Sequence, residues 1–377
     1  MIQFNKPYLH GKELVYIAQA VATGKISGDG TFTKKCHEFF EQRYGFKKVL
    51  MTTSCTDALE MAAILLDIQP GDEVIAPSYT FVSTVNAFAL RGAKIVFADS
   101  YLEHPNIDPI EISKLITPKT RAIVVVHYAG VACDMDAIMD IANKHNILVV
   151  EDAAQAIDSY YKGKPLGSIG TFGTFSFHET KNIIAGEGGL LAINDEKYIH
   201  RAEIIREKGT NRSSFFRGEV AKYGWVDIGS SFLPSDIIAA YLYAQLENID
   251  SIQTRRKEIW QRYYNKLSVI LANTSINLPI VADYANNNAH MFYLVCENLE
   301  QRTALIKYLK DNGVHAVFHY LSLHTSEYYK DKYNGNKLLY CDFFSDTLVR
   351  LPLYCELTDE QVDYICTQIS IFIANVS

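Results

Sequence analysis

The chain has 377 residues, 48% of them hydrophobic, and a formal net charge of −7. At about 100–200 residues per domain, that length allows two or three domains with large cores, and two is the expectation. The negative balance and the lack of a long basic block argue against a nucleic-acid or anionic-membrane footprint, so an anionic ligand must be gripped by local cations. Seven cysteines (Cys36, Cys55, Cys133, Cys296, Cys341, Cys355, Cys366) are scattered and never spaced C-x-x-C. They imply neither a disulfide framework nor a zinc ribbon and suit a reducing cytoplasm. Residues 1–7 lack the apolar run of a signal peptide, and no stretch approaches the roughly 18 apolar residues of a membrane span. A soluble, unprocessed protein is expected.

From residue 48 to 195, short apolar runs at 48–52, 73–76, 94–98, 121–127 and 147–151 alternate with segments of helical period. Runs such as Ile147-Leu148-Val149-Val150 are apolar throughout, which marks parallel strands covered on both faces. Pro70-Gly71-Asp72 is a turn before one strand, and Cys133-Asp134-Met135-Asp136 offers the N-cap of a helix through His145. An open α/β sheet is the economical fold. Ligands of such sheets bind beyond the carboxyl ends of the strands, which puts Ser54, Tyr79, His127, Asp152 and Ser176 on one rim. Helical segments follow at 198–208, 235–246 and 252–267, with a long polar loop, 209–225, after the first. A strand at 291–295, a helix at 301–312, a strand at 315–319 and a last helix from 358 read as a smaller α+β domain. The expected domains are 1–250 and 251–377.

Chemistry concentrates on the rim. The helix opened by Ser54-Cys55-Thr56 has free N–H groups, a dipole and two hydroxyls that suit a phosphate, although Ser and Thr also cap ordinary helices. Segment 77–84 offers an aromatic ring to a planar group, with packing as the plain alternative. Lys181 follows the alternating strand 174–178 and precedes Gly186-Glu187-Gly188-Gly189, while Asp152 ends the strand at 147–151. Carbonyl chemistry through pyridoxal phosphate needs both groups: a lysine for the Schiff base and a carboxylate that keeps the pyridine nitrogen protonated. A single lysine in a turn is ordinarily a solvated charge, and it is the combination with Asp152 and the helix start that singles Lys181 out. His127 and His178 lack spacing of the H-E-x-x-H kind, so no metal site is expected, and the glycine run lacks the order of a P-loop.

Ser54-Cys55-Thr56, segment 77–84, Glu151-Asp152-Ala153-Ala154-Gln155, Ser176-Phe177-His178-Glu179-Thr180-Lys181-Asn182 and Gly186–Gly189 resemble the motifs of the DegT/DnrJ/EryC1/StrS sugar aminotransferases, almost end to end. The resemblance implies the aspartate aminotransferase-like fold (fold type I), with a large, mostly parallel sheet domain and a smaller C-terminal α+β domain. It also implies pyridoxal 5′-phosphate, a homodimer with shared active sites, and L-glutamate as amino donor. Segments 65–74, 126–133, 202–213 and 289–293 resemble a branch whose acceptor is the dTDP-keto-sugar dTDP-4-keto-6-deoxyglucose. Position by position, Lys181 would carry the cofactor, Asp152 would pair with its ring nitrogen, Gln155 would touch the ring hydroxyl and Phe81 would stack on the ring. The phosphate would rest on Ser54, Cys55, Thr56 and Ser176. An asparagine from the other subunit approaches the phosphate in the wider family; Gly229-Ser230-Ser231-Phe232-Leu233 has none, and Ser231 stands in with a shorter reach.

Arg212, Arg217 and Lys222 are the candidate cations for the substrate's diphosphate, and His319 and Tyr320 are candidates for lining the sugar pocket. Solvated charge and packing are the respective alternatives. A sugar 3-dehydrase of the same fold has a histidine where Lys181 stands, so Lys181 argues against that activity. A cofactor-binding regulator is the non-enzymatic alternative. Galacto or gluco configuration at C4, and amination at C3, stay open.

Overall fold

The computed structural model describes residues 1–376. Seven strands form the main sheet: β1 (Lys48–Thr52), β2 (Glu73–Pro77), β3 (Lys94–Ala98), β4 (Thr120–Val126), β5 (Leu148–Asp152) and, after a short ladder of β6 (Tyr160–Tyr161) and β7 (Lys164–Pro165), β8 (Phe172–Ser176) and β9 (Gly189–Ile193). Their order is β1-β9-β8-β5-β4-β2-β3. From β3 to β8 every neighbouring pair is parallel. β9 runs antiparallel to both β1 and β8, so the other six strands share one direction and their carboxyl ends share one rim.

The five apolar runs are all strands, as expected. β9, which opens on the last residue of the glycine run, is not among the expected strands. Gly189 opens β9 because the start of the helix Cys55–Leu65 lies directly against it: a Cβ there would stand 2.2 Å from the Ser54 carbonyl carbon and 2.4 Å from the Cys55 nitrogen. Glycine is required at that position for space.

Alternation along β5 divides the interior. Val149 belongs to a core with Met51, Ile75, Ile123 and Val125, beneath the helices Thr31–Tyr44, Met135–His145 and Asp236–Leu246. Val150 belongs to a second core on the opposite face, with Leu50, Val74, Val124 and residues of the helix Cys55–Leu65. Glu151 and Asp152 continue the alternation and point to opposite faces.

A smaller antiparallel sheet has the order β10 (Phe292–Val295), β12 (Leu348–Leu351), β11 (Val317–Phe318). With the helices Leu299–Asp311 and Asp359–Val376 it surrounds a third core. The helix Ile249–Ile270 joins the parts: Ile249 and Ile252 pack in the first core, and Ile259, Tyr263 and Leu267 in the third. Leu338, Cys341 and Phe344 return to the second core, so the C-terminal segment also packs on the main sheet. Among the described residues no helix is long and apolar enough to cross a membrane, and all seven cysteines are free.

Glu151 is consumed by the fold. Its carboxylate accepts from the Gly167, Ile169 and Gly170 N–H groups at 2.7, 2.7 and 2.6 Å, and its Oε2 lies 3.0 Å from His127 Nε2. The Cys133 N–H donates to His127 Nδ1 at 3.1 Å, so the ring proton is on Nε2 and is given to Glu151. Replacing Glu151 with Ala orphans four buried donors. We expect a loss of about 3–5 kcal/mol, measured as a lowered urea midpoint against the wild type.

Candidate active site

A cavity of about 640 Å³ opens beyond the carboxyl ends of β1, β5 and β8 and is closed on the far side by residues of the small sheet. Its lining includes Ser54, Cys55, Thr56, Phe81, Asp152, Gln155, Ser176, Lys181, His319 and Tyr320, which brings ten of the sequence candidates together.

Asp152 is buried with its Oδ2 accepting from Thr84 Oγ1 at 2.7 Å and its Oδ1 from the Ala154 N–H at 3.1 Å. Thr84 is itself 2.8 Å from Thr80 Oγ1. Burial outweighs these bonds and raises the Asp152 pKa. Lys181 shares the cavity, and burial lowers its pKa against the opposing pull of Cys55 and Asp152. Among the described residues, Lys181 Nζ makes no hydrogen bond or ion pair. Gln155 bridges the two sheets: Oε1 accepts from the Ala129 N–H at 2.6 Å, and Nε2 donates to the Tyr320 hydroxyl at 3.0 Å.

Ser54 caps its helix by accepting from the Asp57 N–H at 3.1 Å, and Thr56 Oγ1 donates to Ser83 Oγ at 2.8 Å. The first turn of that helix faces the cavity beside Ser176. Phe81 is 56% exposed at the mouth, an unusual position for a phenylalanine with packing as its only task. His319 stacks on Tyr320 at 3.5 Å, and its Nδ1 is hydrogen-bonded with the Tyr128 hydroxyl, 2.8 Å away.

Two rim residues do not line the cavity. Tyr79 is buried behind it, where its hydroxyl donates to the His319 carbonyl, and His127 is turned to Glu151 on the other face. Ser231 is exposed outside the cavity, bridged to Glu207. Arg212 and Arg217 line a separate cleft of about 850 Å³ with Lys25, Lys34, Lys48 and Lys208. Arg217 is bound to Glu203 and Glu219 at 2.8 and 2.6 Å, Arg212 lies over the Phe216 ring, and Lys222 is exposed.

Sequence reasoning missed Thr84, His290 and Arg350. Asn182 donates both amide hydrogens, to Gln253 Oε1 at 2.8 Å and to the Asn288 carbonyl at 2.9 Å. Its Oδ1 must therefore accept from His290 Nδ1, 2.8 Å away, which leaves Nε2 of this cavity-lining ring without a proton. Burial and the charges of Lys181, Arg350 and Arg256 keep His290 neutral. Arg350 is the one charge within Leu348-Val349-Arg350-Leu351, a run of four residues that is too short to mark it.

The family model of the DegT/DnrJ/EryC1/StrS aminotransferase family matches residues 7–370. The chain belongs to this aminotransferase family. Solved structures agree along the whole chain. The aminotransferase TlmJ from Streptoalloteichus hindustanus is 28% identical, with all of each chain covered and a TM-score of 0.91. Spr1654 of Streptococcus pneumoniae, named as a sugar aminotransferase and solved in PLP and PMP forms, is 27% identical at a TM-score of 0.91, with 100% of this chain and 99–100% of that chain covered. DesV from S. venezuelae is 27% identical, with 98% of each chain covered and a TM-score of 0.89.

Aminotransferases of this family work with pyridoxal phosphate, and the cavity residues fit that group. The helix start held close by Gly189 has the free N–H groups and hydroxyls that suit a phosphate, and among the described residues Asp152 is a buried carboxylate with no cation bonded to it and Lys181 has an unengaged amine.

A raised Asp152 pKa means that the folded, cofactor-free chain holds this proton more tightly than the unfolded chain. Stability therefore falls as pH rises from 3.8 through the raised value, and the penalty is fully present above it. Asp152→Asn removes it, so the thermal midpoint of the cofactor-free protein at pH 7 should stay the same or rise. Turnover should fall roughly 10- to 1000-fold as the ring nitrogen loses its counter-ion. Scanning calorimetry and a steady-state assay on the same preparations check both halves.

Proposed function

We propose that this aminotransferase moves the amino group of L-glutamate to the C4 ketone of dTDP-4-keto-6-deoxy-D-glucose. The products are 2-oxoglutarate and dTDP-4-amino-4,6-dideoxy-D-galactose, an amino sugar for surface polysaccharide. The observation that carries aminotransfer is the meeting of Asp152 and an unpartnered Lys181 in one cavity beside the phosphate-ready helix start. The choice of sugar is supported by the resemblance of segments 65–74, 126–133, 202–213 and 289–293 to the dTDP-4-amino-4,6-dideoxygalactose transaminase.

When bound, pyridoxal phosphate supplies an electron sink that acidifies the carbon bearing the amine. Ser54, Cys55, Thr56 and Ser176 would hold its phosphate, Phe81 would cover its ring, Gln155 would meet its hydroxyl, and Asp152 would keep its nitrogen protonated. Lys181 would take the proton from the donor carbon and return one to the sugar carbon. Its lowered pKa keeps more of the amine neutral for the first task. His319 and Tyr320 line the sugar side.

In this reading the enzyme is a cytoplasmic homodimer, and residues 1–250 and 251–377 are its two domains. The partner's loop brings the equivalents of Ser231, Arg212 and Arg217 toward the phosphate and diphosphate. The apolar side chains on that loop support a covering surface there: Trp225 is 82% exposed, Phe216 69% and Val226 55%.

Incubating the protein with pyridoxal phosphate, L-glutamate and dTDP-4-keto-6-deoxyglucose should give a product whose proton couplings report an axial C4 amine. An equatorial amine would overturn the galacto product, and no amine at all would overturn the sugar. Lys181→Ala should abolish turnover while leaving the urea midpoint of the cofactor-free protein within about 1 kcal/mol of wild type.

A further inference from the structure

His290 stands just ahead of β10 and lines the cavity with Lys181 and His319. A chain of buried amides fixes its ring. Asn288 gives both amide hydrogens to carbonyls, those of Gln155 and Ile157, at 2.8 and 2.9 Å, so its Oδ1 accepts the His290 N–H at 3.0 Å. Asn182 is oriented in the same way by the Asn288 carbonyl, and its Oδ1 takes the Nδ1 proton of His290. The backbone is held as firmly: Arg256 donates to the Ala289 and His290 carbonyls at 3.1 and 2.8 Å, and Ala289 has a positive φ of 53°.

What the fold leaves over is the proton-free Nε2. Burial and the charges of Lys181, Arg350 and Arg256 hold the His290 pKa well below the usual histidine range. The residue is 4% exposed, and among the described residues its Nε2 makes no hydrogen bond. A buried acceptor left open discriminates strongly between ligands that offer it a hydrogen and ligands that do not.

The proposed reaction brings few such hydrogens to this depth. Asn182 follows Lys181 in the chain, so the ring it holds sits beside the carbon at which the amine is exchanged. On glutamate that carbon bears the amine, a hydrogen, the carboxylate and a methylene, and no hydroxyl. On the sugar, C4 is flanked by C5, which carries the methyl group and the ring oxygen, and by C3, which carries a hydroxyl. We infer that His290 Nε2 accepts a hydrogen bond from the C3 hydroxyl of the acceptor sugar and so selects 4-keto sugars that retain it. This rests on the sugar reading of the proposed function. The rival use of the acceptor, orienting the Lys181 amine, would serve both half-reactions alike, whereas a bond to the C3 hydroxyl serves the sugar half alone.

Two substitutions separate the ring nitrogens. His290→Asn keeps an amide at the Nδ1 position for Asn182 and removes the cavity acceptor, while His290→Gln extends an amide oxygen to the Nε2 position and gives up Asn182. In single turnovers of the holoenzyme, His290→Asn should slow amination of dTDP-4-keto-6-deoxyglucose roughly 10- to 100-fold, with conversion of the cofactor by glutamate changed by less than about 3-fold. His290→Gln should recover part of the loss. Calorimetry with dTDP-6-deoxygalactose, which has neither ketone nor amine, should show binding weakened about 10-fold in His290→Asn. The 3-deoxy form of the keto-sugar should lose the same factor in rate with the wild type and nothing further with His290→Asn. Equal losses in the two half-reactions, unchanged affinity for the unreactive sugar, or a normal rate of the wild type on the 3-deoxy sugar overturns the inference. If His290→Asn does not fold, the wild type on the 3-deoxy sugar and the two half-reactions of His290→Gln decide by the same criteria. A wild type that reacts with glutamate but does not aminate the keto-sugar overturns the sugar reading and this inference together, whereas amination indifferent to the C3 hydroxyl overturns this inference alone.

Discussion

The constraint on which the site depends is the alternation of side chains at the end of β5. Glu151 and Asp152 are neighbours on one buried strand, and the pleat sends them to opposite faces. Glu151 meets three backbone N–H groups and His127 and is fully used by the fold. Asp152 meets one hydroxyl and one N–H and then faces a cavity. A carboxylate buried with so little compensation is a standing electrostatic debt of the folded chain, and a protonated ring nitrogen is the chemical species that would discharge it. The better-satisfied neighbour is what makes this tolerable: it fastens the loop 167–170 and the end of β4 around the strand, so the strand end does not relax away from Asp152.

The rest of the cavity obeys the same electrostatic economy. Burial and the cations around them hold the pKa values of His290 and His319 well below the usual histidine range. Neutral rings add hydrogen-bonding capacity without adding charge. Among the described residues, Lys181 and Arg350 are the lysine and arginine that line the cavity. Gln155 ties the two halves together, since a single amide reaches the Ala129 N–H on the main-sheet side and Tyr320 on the small-sheet side. Ala129 and Tyr320 both have positive φ, at 57° and 50°, so the backbone on either side of that amide is held in a conformation L-residues rarely adopt.

The sequence was most readable where one segment carries both its structure and its chemistry. The apolar runs announced five strands, and Asp152 and Lys181 could be placed because each sits at the end of a strand with a clear period. β9 escaped notice because it begins on Gly189, whose reason for being glycine lies in a helix start more than a hundred residues earlier. Arg350 escaped because β12 has four residues, too few for a period to expose a lone charge as out of place. Thr84, Asn182 and His290 are ordinary polar residues until folding brings partners 68 and 108 positions away within reach, and no local pattern encodes those meetings. The loop cations were the reverse case: Arg212 and Arg217 had the right charge for a diphosphate, but their own chain folds them into a different cleft.

That last displacement bears on how the site is completed. The cavity is lined by Lys181 and Arg350 and by a helix start suited to a phosphate, and among the described residues no further lysine or arginine lines it. The cationic cleft lies beside the loop that carries Trp225, Phe216 and Val226 at the surface. In the proposed homodimer, covering that apolar loop and supplying the mouth with positive charge are one event. Dimerisation would then act on the acceptor half of the reaction. That assignment follows from depth alone, because a diphosphate on the far side of a sugar ring extends past the end of its own subunit's walls.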